Sequence, residues 1–329
     1  MIEGLKFPIH TVQTDQPLIS LVVPVYNEED SVGHFAAAIE KVFAESWSDG
    51  APCPSFEIVF VDDGSSDGTA DVVRAMCRIS PRIKLVSLSR NFGKEAALSA
   101  GLKTAAGDAV IPMDVDLQDP PELIRPMVDL WRAGAQIVNA KRIDRSQDTF
   151  LKRTTSRLFY KAINAIAEHP IAVDVGDFRL LDRAAVVVLN EMTERSRFNK
   201  GLFSWIGFRT ETVEYSRPAR HAGETKWRVS RLIALALDGI TSSTTLPLRM
   251  WTMIGAVIAT LALGYAAYIV ARTLIFGVDT PGYASLMVAV LFLGGLNLFS
   301  LGLMGEYVGR IAIQVRGRPL YIVAEKVGF

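Results

Sequence analysis

The stretch MDVDLQDPPE, residues 113–122, sets two carboxylates, Asp114 and Asp116, one residue apart. The amide of Gln118, a third carboxylate, Asp119, and two prolines follow. Residues i and i+2 of an extended segment point to the same side. Two like charges held there repel unless a cation sits between them. Mg2+ or Mn2+ prefers oxygen ligands and commonly keeps phosphate oxygens in its shell. Asp114, Asp116 and Gln118 are therefore candidate metal ligands. A lone pair of this spacing also occurs in solvated turns, so its surroundings must decide. Asp119 is better suited to organising the turn before Pro120 and Pro121.

Three further polar clusters accompany it: Tyr26-Asn27-Glu28, Asp62-Asp63-Gly64-Ser65 and Arg90-Asn91-Phe92-Gly93-Lys94. The acidic turn VDDGSSDGT could hydrogen-bond a base or a ribose, although Asp62 is equally suited to capping the turn itself. No GxGxxG follows the first strand-like run, which counts against a nicotinamide or flavin site, and no GxxxxGK[ST] occurs. The four histidines, His10, His34, His169 and His221, suggest no Ser-His-Asp arrangement.

The elements that must position these clusters alternate in type. Short runs rich in Val, Ile and Leu predict strands at Ile19–Tyr26, Glu57–Val61, Lys84–Ser89, Ala109–Met113 and Gln136–Ala140. Helix-like stretches lie near 31–45, 69–79, 94–106 and 121–133, with N-cap candidates at 66–69 and Pro121 suited to a first helical turn. Strand-helix alternation predicts an α/β fold with a mostly parallel sheet. Every polar cluster then falls beyond the carboxyl end of a strand, where such sheets bind ligands. Further strands are expected at Phe178–Leu181 and Thr210–Tyr215, after a basic stretch containing Lys141, Arg142, Arg145, Lys152, Arg153 and Arg157.

The chain of 329 residues has 35 basic and 35 acidic side chains, so its charge gives no sign of nucleic-acid binding. Cys53 and Cys77 fit no metal-ligand spacing. The N-terminus lacks a signal-peptide pattern. The mean hydropathy of +0.25 is high for a soluble protein. Two uncharged runs, Trp251–Ala271 and Tyr283–Gly305, are long enough to cross a bilayer as helices. The short segment between them makes a hairpin. Arg228, Arg231 and Arg249 precede it and Arg310, Arg316, Arg318 and Lys326 follow, while the inner loop carries only Arg272. The positive-inside rule then puts both termini in the cytoplasm. Residues 226–245, with a basic start and apolar Leu232, Ile233, Ala236, Leu237 and Ile240, suit an amphipathic helix lying on the membrane. The expected division is a tail at 1–17, a catalytic domain at 18–225, this helix at 226–245, two spans within 246–309 and a cytoplasmic tail at 310–329.

The ordered set PVYNEE, VDDGSSDGT, RNFGKEAAL, MDVDLQDPPE, VGDFRLLD and RHAGETKW resembles the family 2 glycosyltransferases of the Rossmann-like GT-A fold. Similarity is greatest to the branch that glycosylates polyprenyl phosphates, which includes dolichol-phosphate mannose synthase and bactoprenol glucosyltransferases. It covers residues 18–245, and the double-span tail fits bacterial members. The resemblance implies a nucleotide-sugar donor, a polyprenyl (undecaprenyl) phosphate acceptor, Mg2+ or Mn2+, and a place in the bacterial cytoplasmic membrane. It implies that Pro24, Tyr26 and Glu28 line the nucleotide pocket, with Asp63 at the base and Val115 among the residues that bind the nucleotide-sugar. Asp114, Asp116 and Gln118 would hold the metal. Arg142, Arg153 and Lys94 would face phosphate oxygens, and Arg217, Arg220 and Lys226 would lie near the acceptor. Asp177 is a candidate base or acceptor-positioning residue, and equally a cap for the strand it begins.

The chemistry would need little from the protein. The acceptor phosphate is already ionised near pH 7, its second pKa being about 6. A single displacement would invert the anomeric centre. UDP-glucose is the donor favoured by resemblance, while GDP-mannose and other UDP-sugars stay open. A homo-oligomer, a tetramer by resemblance, and a separate flippase are further expectations. Three rivals remain: a processive polysaccharide synthase, although no QxxRW is present; a non-catalytic nucleotide-binding scaffold for a flippase; and a transferase acting on protein or glycan that uses the hairpin only as an anchor.

Overall fold

The computed structural model describes residues 16–45, 47, 52–142, 175–192, 194, 199–215, 246–277 and 282–329. The first half alternates β1 (Leu18–Val25), α1 (Ser31–Ala44), β2 (Ser55–Asp62), α2 (Thr69–Ile79), β3 (Ile83–Leu88), α3 (Lys94–Thr104) and β4 (Ala109–Pro112). A 3-10 turn at Pro121–Leu123 then leads into α4 (Ile124–Arg132) and β5 (Ile137–Arg142). After residue 174 come β6 (Val175–Asp182), α5 (Arg183–Glu191), α6 (Asn199–Trp205) and β7 (Thr210–Tyr215). The central strands are buried on both faces, which is why their sequences read as continuous apolar runs rather than alternating ones.

The sheet has eight strands in the order β7-β5-β6-β4-β1-β2-β3-β8, where β8 is Val323–Val327. β1–β2, β1–β4, β2–β3 and β5–β7 pair in parallel, and β6 and β8 run antiparallel to their neighbours. Because β4 and β2 lie on opposite sides of β1, the sheet reverses its winding between β1 and β4. That is the place where open α/β sheets form a crevice. α3 reaches across β1 and β2 because Gly101 has no Cβ to strike the Val22 side chain.

The C-terminus departs from expectation. Instead of a tail over 310–329, the last helix runs to Val315 and the chain returns to the sheet as edge strand β8 beside β3. Arg74 on α2 forks onto Glu325, with Nη2 2.8 Å from Oε2, and the Ser89 amide donates to the Ile322 carbonyl at 2.9 Å. Five residues of VAEKV carry a weak strand signal, and their partner lies about 240 residues earlier. Such pairing leaves no local trace in sequence.

The end of the sheet opposite the crevice is tied by buried polar groups. Glu57 on β2, 3% exposed, accepts from Ser20 Oγ, from Lys84 Nζ at 2.5 Å and from the Ala106 amide at 2.7 Å. Ser20 Oγ accepts from the Gly107 amide, and Asp108 accepts from the Leu18 amide. Asp182 receives the buried Trp131 indole N–H at 2.7 Å and caps α5 through the Ala184 amide. A buried carboxylate with three donors is stabilising only while all three are made.

α7 (Leu246–Phe276) and α8 (Tyr283–Val315) form a separate unit with residues 227–317. Both helices extend past the uncharged runs, so Arg272 lies within α7 rather than in a loop. Among the described residues one helix, Met253–Phe276, is long and apolar enough to cross a membrane, with mean hydropathy 2.0 and none of it buried. Its Leu261 and Tyr265, and Leu298 on α8, are each more than 60% exposed. A helix apolar all round belongs in a core or in lipid, and Met253–Phe276 is not buried within the chain. The Trp251 indole N–H donates to Ser300 Oγ, and its ring lies 4.6 Å from Phe299. The juxtamembrane helix expected at 226–245 lies outside the described residues, as do residues 1–15 of the N-terminal tail.

Burial pushes the Glu57 carboxyl up, but the bonds from Lys84, Ser20 and the Ala106 amide outweigh it and hold it below the ordinary value of 4.5. A folded value below the unfolded one gives stability that is complete above about pH 4.5 and is lost as pH falls through the folded value. Glu57→Gln is therefore expected to cost about 3 kcal/mol at pH 7 and to flatten the acid limb of stability. Urea unfolding of parent and variant between pH 7 and 3 measures both.

Candidate active site

A cleft of about 370 Å³ opens at the carboxyl ends of β1, β2 and β4. Pro24, Tyr26 and Glu28 reach it from β1 and its loop, and Asp63 from the end of β2. Lys94 comes from the start of α3, and Asp114, Val115 and Asp116 from the loop after β4. These eight residues, expected from sequence to share a site, are brought together here.

Each loop is held by its own polar bonds. Asn27 sits at φ 55, a left-handed conformation that Asn tolerates. Its side chain accepts from the Ser66 amide at 2.9 Å, and its amide donates to Ser65 Oγ. The Glu28 amide donates to Thr69 Oγ1, and Ser31 Oγ donates to Glu28 Oε2 at 2.7 Å. The first two loops are thus laced to each other. Asp62 receives the Ser65 amide and so caps its turn. Asp63, 4% exposed, lines the cleft while its two oxygens accept from the Phe92 and Gly93 amides at 2.7 and 2.8 Å. Burial raises the Asp63 carboxyl above its ordinary value against the pull of those two amides.

The acidic loop is shaped by strain and by a long-range bond. Leu117, directly after Asp116, has φ 52, which for a branched residue costs about 1–2 kcal/mol. The Gln118 amide donates to Asp116 Oδ1 at 3.1 Å, and the Tyr215 hydroxyl of β7 donates to Asp119 at 2.7 Å. Asp119 thus secures the turn before the prolines.

At the centre stands Lys94. Its Nζ lies 2.6 Å from Asp114 Oδ1 and 2.9 Å from Asp177 Oδ2. Burial disfavours the ammonium, yet the Asp177 and Asp114 carboxylates outweigh it and raise its pKa well above the usual lysine range. Lys94 therefore stays charged and bridges α3, β4 and β6. Asp177 and Lys94 were separate candidates in sequence; their pairing appears only in three dimensions.

Other expected residues stand apart. The Gln118 side chain is not among those lining the cleft, nor is Arg142, at the end of β5, and Asp177 meets it only through Lys94. Arg153, Arg217, Arg220 and Lys226 lie outside the described residues. Conversely, Asn91 and Gly93, named only as part of a cluster, and Ala97, not named at all, also line the cleft. Their signal was the RNFGKEAAL segment itself, with glycine at a strand-to-helix turn.

Asp114 and Asp116 suit a hard divalent cation. They offer two carboxylates from one loop beside open space, and leave the remaining coordination to phosphate oxygens and water, as magnesium sites commonly do.

The family described as Glycosyl transferase family 2 matches residues 20–189, more than half of the chain. The chain belongs to that family. A further match, to the GtrB C-terminal hairpin, covers residues 246–311. Similar proteins run nearly full length. An uncharacterized glycosyltransferase of Synechocystis is 48% identical over 310 residues, covering 94% of this chain and 96% of that protein. The prophage bactoprenol glucosyl transferase homolog of Escherichia coli K12 is 48% identical, covering 93% and 98%. The bactoprenol glucosyl transferase of Shigella phage SfII is 48% identical, covering 93% and 97%. The protein is thus a glycosyltransferase with the GT-A architecture, and its cleft lies within the matched region.

In this glycosyltransferase the second loop has no room to move outward. Gly64 has φ 70, and a Cβ there would lie 2.5 Å from the Arg90 carbonyl carbon and 2.7 Å from the Asn91 nitrogen. Gly64→Ala is expected to cost about 1–3 kcal/mol by forcing the backbone at Arg90 and Asn91 aside, and denaturant melts of parent and variant test this.

Proposed function

We propose that this glycosyltransferase moves a sugar, with UDP-glucose the favoured donor, onto a polyprenyl phosphate at the cytoplasmic face of a bacterial membrane, with inversion. The observation carrying this reading is the convergence of Asp114, Asp116 and Lys94 on one cleft, with Asp177 paired to Lys94, in a chain that also bears exposed apolar helices. The names of the similar bactoprenol glucosyl transferases support the acceptor class. The paired apolar helices, with basic residues flanking them, support two spans and cytoplasmic termini.

Tyr26, nearly half exposed at the cleft, offers a flat apolar face for a base, and Asp63 and Glu28 stand beside it. Asp114 and Asp116 would hold Mg2+ or Mn2+. Such an ion, when bound, offsets the charge that grows on a departing diphosphate. Lys94 adds an ammonium that can donate to the same phosphate oxygens. Arg142 and Arg153 are proposed to meet the acceptor phosphate with forked contacts. Arg217, Arg220 and Lys226 would extend that basic path. The acceptor oxygen forms its bond to the anomeric carbon as the bond to the nucleotide diphosphate breaks. No strong base is required, because the attacking oxygen is already ionised. Asp177, fixed by Lys94, is proposed to orient that acceptor. Assembly into a homo-oligomer and transfer of the product to a separate flippase complete the reading.

Purified full-length protein would be given undecaprenyl phosphate, Mg2+ or Mn2+ and a panel of nucleotide sugars. Lipid-linked sugar is expected from UDP-glucose, and Asp116→Ala is expected to lower its rate by about a hundredfold or more. Nucleotide binding without turnover from any donor would favour the scaffold reading instead.

A further inference from the structure

Arg179 on β6 is 4% exposed and lies two residues from Asp177 on the same strand. Its Nη2 donates to the Gly176 carbonyl at 2.7 Å, and its guanidinium carbon lies 4.0 Å from the centre of the Phe203 ring on α6. Its Nε is buried with no hydrogen-bond partner. Burial lowers its pKa to about 10, while the Asp177 and Glu95 carboxylates act in the opposite direction. A cation in that setting is a liability for stability. Apolar replacement of buried charge is often neutral or stabilising. Against that cost the guanidinium gains its stacking on Phe203 and its bond to the Gly176 carbonyl.

What the guanidinium does hold is the peptide that carries Asp177. The Gly176 carbonyl belongs to the Gly176–Asp177 bond, and Gly176, lacking a side chain, leaves that peptide free to rotate. We propose that Arg179 is a positioning residue for the transfer reaction. It fixes the Gly176–Asp177 peptide, so that Asp177 meets Lys94 at 2.9 Å and Lys94 in turn meets Asp114 at 2.6 Å. The chain of contacts runs from Phe203 through Arg179 and Asp177 to the metal-binding loop. The inference rests on the reading of Asp177 as the residue that orients the acceptor.

The test compares Arg179→Met, Arg179→Lys, Asp177→Asn and the double variant Arg179→Met/Asp177→Asn in the full-length protein. It reads Tm, donor KM and kcat. Arg179→Met is expected to keep or raise Tm, to leave donor KM within about twofold, and to lower kcat by about tenfold. Asp177→Asn is expected to lower kcat at least as far, and the double variant no further, because the two act as a unit. Arg179→Lys is expected to recover part of the loss, since an ammonium can also reach the Gly176 carbonyl. A lowered Tm in Arg179→Met would make Arg179 structural and overturn the proposal. So would an unchanged kcat, or losses that multiply in the double variant. Normal turnover in Asp177→Asn would refute the role of Asp177 and this inference with it, while the parent's donor panel would still decide the transfer reaction separately.

Discussion

The cleft depends on one electrostatic constraint. Asp114 and Asp116 reach it from the loop after β4, Asp177 on β6 meets the same Lys94, and like charges gathered there repel. At an effective dielectric near 20, two unit charges 4 Å apart interact by about 4 kcal/mol. The Lys94 ammonium, seated between Asp114 and Asp177, turns part of that repulsion into attraction. It also ties the first turn of α3 to the ends of two strands. A divalent ion on Asp114 and Asp116 would extend the same logic to an anionic ligand. The site thus holds Asp114 and Asp177 by countercharge, whereas Asp63 is buried and held by two backbone amides.

The rest of the domain divides its labour along the strands. At one end buried polar groups around Glu57 and Asp182 lock β1, β2, β4, α4 and α5 together. At the other end the loops are laced by weaker and more local bonds, and two of them carry left-handed non-glycine residues, Asn27 and Leu117. Strain collects where ligands bind, and the stable end offsets it. β8 adds a further tie. The chain leaves the sheet unit before α7 and returns after α8 to pair with β3, whose far end carries the Phe92 and Gly93 amides that hold Asp63.

Much of this was legible in sequence because it is local. Apolar runs found β1 through β5 with small errors at their ends, since central strands buried on both faces have no other way to read. β6 was expected only over Phe178–Leu181, half of its length, and β7 lies at the sheet edge as TETVEY. The acidic pair and the three companion clusters lay just past those runs, so the cleft followed from chain order alone. What was not legible is non-local. β8 is short and its partner is far away in sequence. Lys94 looked like one more phosphate-facing base until Asp177 was seen across from it. Arg179 read as a strand residue, because nothing in VGDFRL says which side chain is buried. The uncharged runs marked the two long helices α7 and α8 but placed Arg272 in a loop, since helices continue beyond the apolar stretch whenever their backbone bonds can.

Calorimetric titration of UDP into the full-length protein, with and without Mg2+, addresses the central claim most directly, with Asp114→Asn beside the parent. If the paired carboxylates hold a divalent ion against the diphosphate, UDP should bind tightly only with the ion, and Asp114→Asn should remove that dependence. Equal affinity with and without Mg2+, unchanged in Asp114→Asn, would contradict the assignment of the acidic loop.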